Sequence, residues 1–131
     1  MFRRHDPLPD ETEKYISDAI DAAMLVHRNL GPGFIERAYQ NAMCLELSAS
    51  GIPFETEKMF VVKYHERPIA THRVDLIVGG QVILELKAVA ALEEIHGAQV
   101  MSYLRATGLR AGLLMNFGGV TLKAGLRRIV I

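Results

Sequence analysis

The chain has 131 residues, half of them hydrophobic and 23% charged, with one cysteine and a formal net charge of zero. That length supports one hydrophobic core and predicts a single domain over residues 1–131. The composition excludes a disordered chain, a fold stapled by internal disulfides, and a protein that coats nucleic acid by bulk positive charge.

Residues Met1–Asp10 hold two of the five prolines and read as a flexible arm. No hydrophobic segment follows its charges, so it is not a signal peptide. Thr12 is an N-cap candidate. After it Ile16, Ala19, Ile20, Ala23, Val26 and Leu30 recur at spacings of three and four, which predicts an amphipathic helix. Gly31-Pro32-Gly33 ends it. A second helix is predicted over Phe34–Ser50, with Phe34, Ala38, Ala42, Leu45 and Ala49 as its apolar stripe. Gly51 is its natural C-terminal stop. Glu36, Tyr39 and Met43 form a neighbouring stripe, and Glu36 stands in the first turn, where the helix dipole favours an anion. Cys44 falls within the apolar pattern and reads as core.

A strand is predicted over Glu57–Tyr64, with a turn at His65–Pro68. The stretch Thr71–Val89 then reads as two strands joined by Gly79-Gly80, a pair that tolerates the positive φ of a tight hairpin. In the first, Val74, Leu76 and Val78 share a face. The second, Val82–Val89, is nearly all apolar, as a strand buried on both sides is. A helix over Leu92–Thr107 follows, then a buried strand Ala111–Asn116, a turn at Phe117-Gly118-Gly119 and a closing strand Leu126–Ile131. The order α-α-β-β-β-α-β-β predicts an α/β fold with a mixed central sheet flanked by helices, since a strand, helix and strand in succession make a parallel crossover. No apolar run reaches membrane-spanning length, so a cytoplasmic protein with no membrane partner is expected.

The chemistry concentrates on the second strand of the hairpin. Glu85 and Lys87 are two positions apart and therefore point to one face of an otherwise apolar strand. Buried charges are costly unless compensated. Asp75, on the preceding strand, offers a second carboxylate, and two carboxylates suit a hard divalent cation. The alternative reading is a structural Glu–Lys pair. Charge is also unevenly distributed: the segment after Glu94 carries +5 and no acid, the rest −5. Arg105, Arg110, Lys123, Arg127 and Arg128 would form a basic flank beside the acidic pocket. His27 and His96 read as structural, Asn116 as a residue without a role in the site, and Arg73 as no partner within it.

Three motifs together identify a resemblance. Gly33, Glu36 and Tyr39 make the pattern G-x-x-E-x-x-Y; Glu85-Leu86-Lys87 and Gln99-x-x-x-Tyr103 follow, with Asp75 before them. With the phrases LGPGFIERAY, VILELKAV, AQVMSYL and GLLMNFG, the chain resembles the GxxExxY protein family of the PD-(D/E)XK nuclease superfamily from about Ile16 to Val130. The resemblance implies a restriction-endonuclease-like core, as also found in Holliday-junction resolvases. It implies Mg²⁺ or Mn²⁺ held by Asp75, Glu85 and Glu36, and catalysis by Asp75, Glu85 and Lys87. Substrate contacts would come from Gln99, Tyr103 and Tyr39. The expected activity is hydrolysis of phosphodiester bonds in DNA or RNA, with a homodimer as one arrangement. The alternative is a catalytically silent module that binds nucleic acid or a protein. Two departures stand out: His72-Arg73-Val74 replaces the superfamily's proline before Asp75, and Gly97 follows His96 where a polar residue is expected.

Overall fold

The computed structural model describes residues 6–131. Three helices, α1 (Asp10–Leu30), α2 (Glu36–Ala49) and α3 (Glu94–Thr107), surround five strands. These are β1 (Phe54–Tyr64), β2 (Arg67–Val78), β3 (Val82–Lys87), β4 (Ala111–Asn116) and β5 (Leu126–Val130). They make one sheet in the order β1-β2-β3-β4-β5. All neighbours are antiparallel except β3 and β4, which are parallel because α3 carries the chain back across the sheet between them. The element order and the mixed α/β architecture match the sequence expectation.

Strands in the centre of the sheet bury both faces. Leu84, Leu86, Leu113 and Met115 pack under α1 and α2 with Leu76 and Val78. Ile83 and Leu114 pack under α3 with Ile77, Val100 and Leu104. Every residue of β4 is buried, and so is β3 up to Leu86, which accounts for their continuous apolar sequence. The hairpin at Gly79-Gly80 forms as expected, with φ of 60° and 68°. A Cβ on Gly79 would run into the Tyr15 ring of α1, so this turn is also where the hairpin docks on the helix. The other hairpin turn, His65-Glu66, reaches positive φ without glycine, at 50° and 66°.

Five local expectations change. Helix α2 buries the stripe Tyr39, Gln40, Met43 and Leu47, whereas Phe34 and Leu45 are exposed. The larger side chains of the second stripe fill the space over the sheet better than three alanines do. Thr12 does not cap α1, which begins two residues earlier; its buried hydroxyl hydrogen-bonds to Gln81. Of the expected arm, residues 1–5 lie outside the described residues. Leu8 is buried in the core, and Arg110 donates hydrogen bonds to the carbonyls of Asp6 and Pro7, so residues 6–10 are held in place. Strand β3 stops at Lys87 rather than Val89, because the Asn116 side chain replaces the ladder there. Its Oδ1 accepts the Val89 N–H at 3.0 Å and its Nδ2 donates to the Val89 carbonyl at 2.9 Å. Finally, Val74 packs with the α3-side cluster and not with Leu76 and Val78. Strand β2 therefore turns over between them, and Asp75 sits on that turn.

Candidate functional site

The register of β2 on β3 pairs Leu76 with Leu84, and continuing it places Asp75 opposite Glu85. The regular pairing ends one step short of that pair. In its place each carboxylate bonds the backbone of the other strand: the Asp75 N–H donates to Glu85 Oε1 at 3.1 Å, and the Leu86 N–H donates to Asp75 Oδ2 at 2.8 Å. Two side chains thus satisfy backbone donors that the interrupted ladder leaves over. The carboxyl groups of Asp75 and Glu85 come from facing positions and converge at this gap.

Their electrostatics reflect the crowding. Glu85 is only 5% exposed. Burial, and then the charge of Asp75, pushes its pKa from the ordinary 4.5 up to about 8. Asp75 is also raised, by burial first, against the opposing pull of the Leu86 N–H and of Lys87. Lys87 lies on β3 with Glu85 and lowers both acids. Its Nζ donates to Gln99 Oε1 of α3 at 3.5 Å, a long bond that ties helix to strand. Tyr103, four residues on, is nearly buried; its ring meets Phe60 edge-on at 5.1 Å and tilts against His72 at 5.7 Å. Burial raises its phenol, and Glu85 and Asp75 raise it further, so the hydroxyl stands beside the same charges.

Glu36 opens α2 with an exposed side chain and approaches from the other side. Desolvation and the neighbouring Asp75 charge raise its pKa, and Lys87 lowers it. Tyr39 does not join the site surface. It is fully buried, stacked 4.7 Å from Phe117, and both hydrogen-bonding capacities of its hydroxyl are used. The hydroxyl donates to the Gly31 carbonyl at 2.6 Å and accepts from the Phe34 N–H at 3.2 Å. It fastens the Gly31–Phe34 loop that delivers Glu36, so the spacing between glutamate and tyrosine is one of support and not of substrate contact. The two histidines are structural as expected: His27 Nε2 bonds Gly119 O at 2.9 Å, and His96 belongs to the capping box of α3.

A groove of about 530 Å³ runs from this cluster between α2 and the β1–β2 ribbon, with Glu36 and Asp75 on its wall beside Arg37, Glu57 and Arg73. Arg73 stands two residues before Asp75 and lines the same groove, contrary to the sequence reading. The expected basic flank does not form here. Arg110 is buried against carbonyl groups and Arg128 pairs with Glu13 of α1. The cations of the site are instead Lys87, Arg37 and Arg73. Arg37 and Glu57 were legible only as members of their helix and strand, since nothing in their 20-residue separation announces that they touch.

The donor chemistry suits a hard divalent cation. Asp75 and Glu85 supply adjoining carboxylate oxygens; burial raises both, and the charge of Asp75 raises Glu85 further, a cost that a cation would relieve. Among the described residues, no three acidic, histidine or cysteine side chains already surround one point. Glu36, exposed, is the third carboxylate within electrostatic reach.

Comparisons bear on the family and the fold. A family model described as the PD-(D/E)XK nuclease superfamily matches residues 13–129. Among solved structures, that of SSO0001 superposes with a TM-score of 0.54 at 17% identity, covering 72% of this chain and 48% of that one. The chain spans about half the length of SSO0001, and the likeness is one of fold. No curated protein matches the chain.

Proposed function

We propose that this chain, which belongs to the PD-(D/E)XK nuclease superfamily, is a metal-dependent nuclease hydrolysing phosphodiester bonds in nucleic acid. Within the superfamily, the spacing of Gly33, Glu36 and Tyr39 supports a reading as a GxxExxY member. The observation that carries the reading is the break in the β2–β3 ladder, where Asp75 and Glu85 converge beside Lys87. A buried lysine–glutamate pair serving stability alone would not call for a second carboxylate inserted into a backbone ladder.

Asp75 and Glu85 would hold Mg²⁺ or Mn²⁺, with Glu36 completing the set. Such an ion, when bound, lowers the pKa of water and offsets charge on a phosphate. Lys87 projects from the same strand as Glu85; its ammonium orients the attacking water and stabilises charge building on the phosphate oxygens. Gln99 accepts from Lys87 and sets the direction of that ammonium. Tyr103, packed on Phe60 and His72, lies on the α3 side, near enough for Glu85 and Asp75 to raise its phenol. Glu85 at a pKa of about 8 gives up a proton as the cation enters, so affinity for the ion increases with pH through neutrality.

The test is to titrate Mn²⁺ by calorimetry into wild type and Asp75→Asn, then incubate each with single-stranded, double-stranded and branched DNA and with RNA. The asparagine keeps an acceptor for the Leu86 N–H while removing the charge. Metal binding and metal-dependent cutting by wild type, both lost in Asp75→Asn, is the expected result. Metal binding with no cutting of any substrate would favour a silent nucleic-acid or protein-binding module. Absence of metal binding ends the nuclease reading. Sedimentation of the same samples reads whether the active species is a homodimer.

A further inference from the structure

The groove beside the carboxylates contains a charged device that the reaction does not require. Glu57 lies in the middle of β1, between Thr56, paired with Leu76, and Lys58, paired with Val74. The register thus sets it across from Asp75. Its φ is 49°, a left-handed conformation unusual for a non-glycine residue and rarer still within a strand. Backbone strain of this kind persists where the surroundings enforce it, and it concentrates at ligand-binding positions. Here the strained residue aims its carboxylate at two arginines. Arg37, next to Glu36 on α2, donates to Glu57 Oε1 at 3.1 Å. Arg73, on β2, approaches the same oxygen at 3.8 Å.

Two guanidinium groups on one carboxylate leave a net positive charge at this end of the groove. Both side chains are more than half exposed, at 57% and 61%, so most of their ten N–H donors face water. A planar fork of donors is the group best matched to phosphate oxygens. Arg73 is two residues from Asp75, roughly 7 Å along an extended strand, which is the reach to a neighbouring phosphate and not to the one being cut.

We propose that Arg37 and Arg73, held together by Glu57, form an anion subsite that grips a nucleic-acid backbone phosphate adjoining the scissile one. Glu57 acts as a surrogate anion: it occupies donors of both forks before substrate arrives and competes with the phosphate for them. The contact is to backbone oxygens, so it is indifferent to base sequence. The subsite rests on the nuclease reading for its place beside the cut bond, but it concerns binding and not chemistry.

The experiment measures binding of a fluorescently labelled single-stranded oligodeoxynucleotide by anisotropy, in EDTA to prevent cutting, across a salt titration. Arg37→Ala/Arg73→Ala is expected to bind about tenfold more weakly and to show a log–log salt slope smaller by about 1. Glu57→Gln is expected to bind several-fold more tightly, since it removes a competing negative charge and frees both arginines. A purely structural ion-pair network predicts the reverse, weaker binding in Glu57→Gln, and that result would overturn the subsite. So would a double arginine variant that binds like wild type with an unchanged slope. If the double variant does not fold, Arg37→Lys/Arg73→Lys retains the charge but loses the fork, and unchanged affinity there refutes the proposal equally. Wild type that binds the oligonucleotide through these arginines but never cuts would refute the nuclease reading and leave the subsite standing. Cutting by wild type with arginine variants unimpaired in binding does the opposite, and a wild type that binds no oligonucleotide removes both.

Discussion

Replacing Glu85 by glutamine should make the metal-free protein less sensitive to alkaline pH. In the unfolded chain this carboxyl titrates near 4.5, whereas burial and then Asp75 hold it at about 8 in the folded chain. The folded state therefore keeps a proton that the unfolded state has released. The resulting stabilisation is complete below the unfolded value and is lost as pH rises through the folded one. At about 1.4 kcal/mol per pKa unit, raising the pH from about 5.5 to about 8.5 removes roughly 3 kcal/mol from this one group. Asp75 is shifted in the same direction, by burial first. A fall of that size is a large share of the stability of a small domain.

The assay is urea unfolding of wild type and Glu85→Gln in EDTA at the two pH values. Glutamine preserves the side-chain volume and an oxygen to accept the Asp75 N–H. With a urea dependence of about 1–3 kcal/mol per molar, the wild-type midpoint should drop by about 1–3 M relative to the variant between the two conditions. Mn²⁺ at the higher pH should restore wild type and leave Glu85→Gln unaffected, because ion binding to the folded state alone raises its stability. A stability difference between the two proteins that is the same at both pH values would refute the reasoning: the carboxyl would then be ionised in the folded state without cost, and the convergence with Asp75 would carry no electrostatic consequence.

Three further substitutions separate the roles of neighbouring residues. Lys87→Ala should abolish turnover while leaving Mn²⁺ affinity equal or higher by calorimetry, since it removes a positive charge beside Asp75 and Glu85; a protein that fails to fold would instead indicate a structural ion pair. Tyr39→Phe leaves the Gly31 carbonyl and the Phe34 N–H without their shared hydroxyl, and should cost about 1–3 kcal/mol in urea unfolding. Asn116→Ala removes an amide that accepts from Val89 and Gly118 and donates to Val89, and should destabilise by about 2–4 kcal/mol, since three backbone groups lose a partner at a 3%-exposed site.

The sheet was readable because it is written in local patterns. Gly79-Gly80 between two apolar runs, the two-sided apolarity of Val82–Leu86 and Ala111–Asn116, and the helix between them define a hairpin followed by a crossover without any knowledge of distant contacts. The helix faces were harder. In α2 the small residues Ala38 and Ala42 keep a regular spacing with Phe34 and Leu45, and the stripe looks apolar; only the depth of the groove over the sheet decides that Tyr39, Met43 and Leu47 fill it instead. The same limit applied to charge. A block of cations after Glu94 invites a basic flank, yet Arg110 is taken up by the carbonyls of Ile131, Pro7 and Asp6, the last two 103 and 104 residues away, and Arg128 by Glu13, 115 residues away.

Asp75, Glu85 and Lys87 were legible for a different reason. Charged residues in strands this apolar conflict with their surroundings, and such conflicts mark candidate functional or strained positions. What the sequence could not express was how the strands accommodate them. An unbroken β2–β3 ladder would pair the backbones of Asp75 and Glu85 and leave their carboxyl groups to be solvated as best they could. Instead β2 turns over between Val74 and Leu76, and each carboxylate bonds the opposite backbone. On β1 the distortion recurs at Glu57, at positive φ across from Asp75. Two neighbouring strands thus depart from regular geometry at one level of the sheet, and both departures turn a charged side chain toward the groove. Arg37 from a helix and Arg73 from a strand meet Glu57 at that level, the arrangement that the proposed subsite for an anionic substrate laid across β1 and β2 requires.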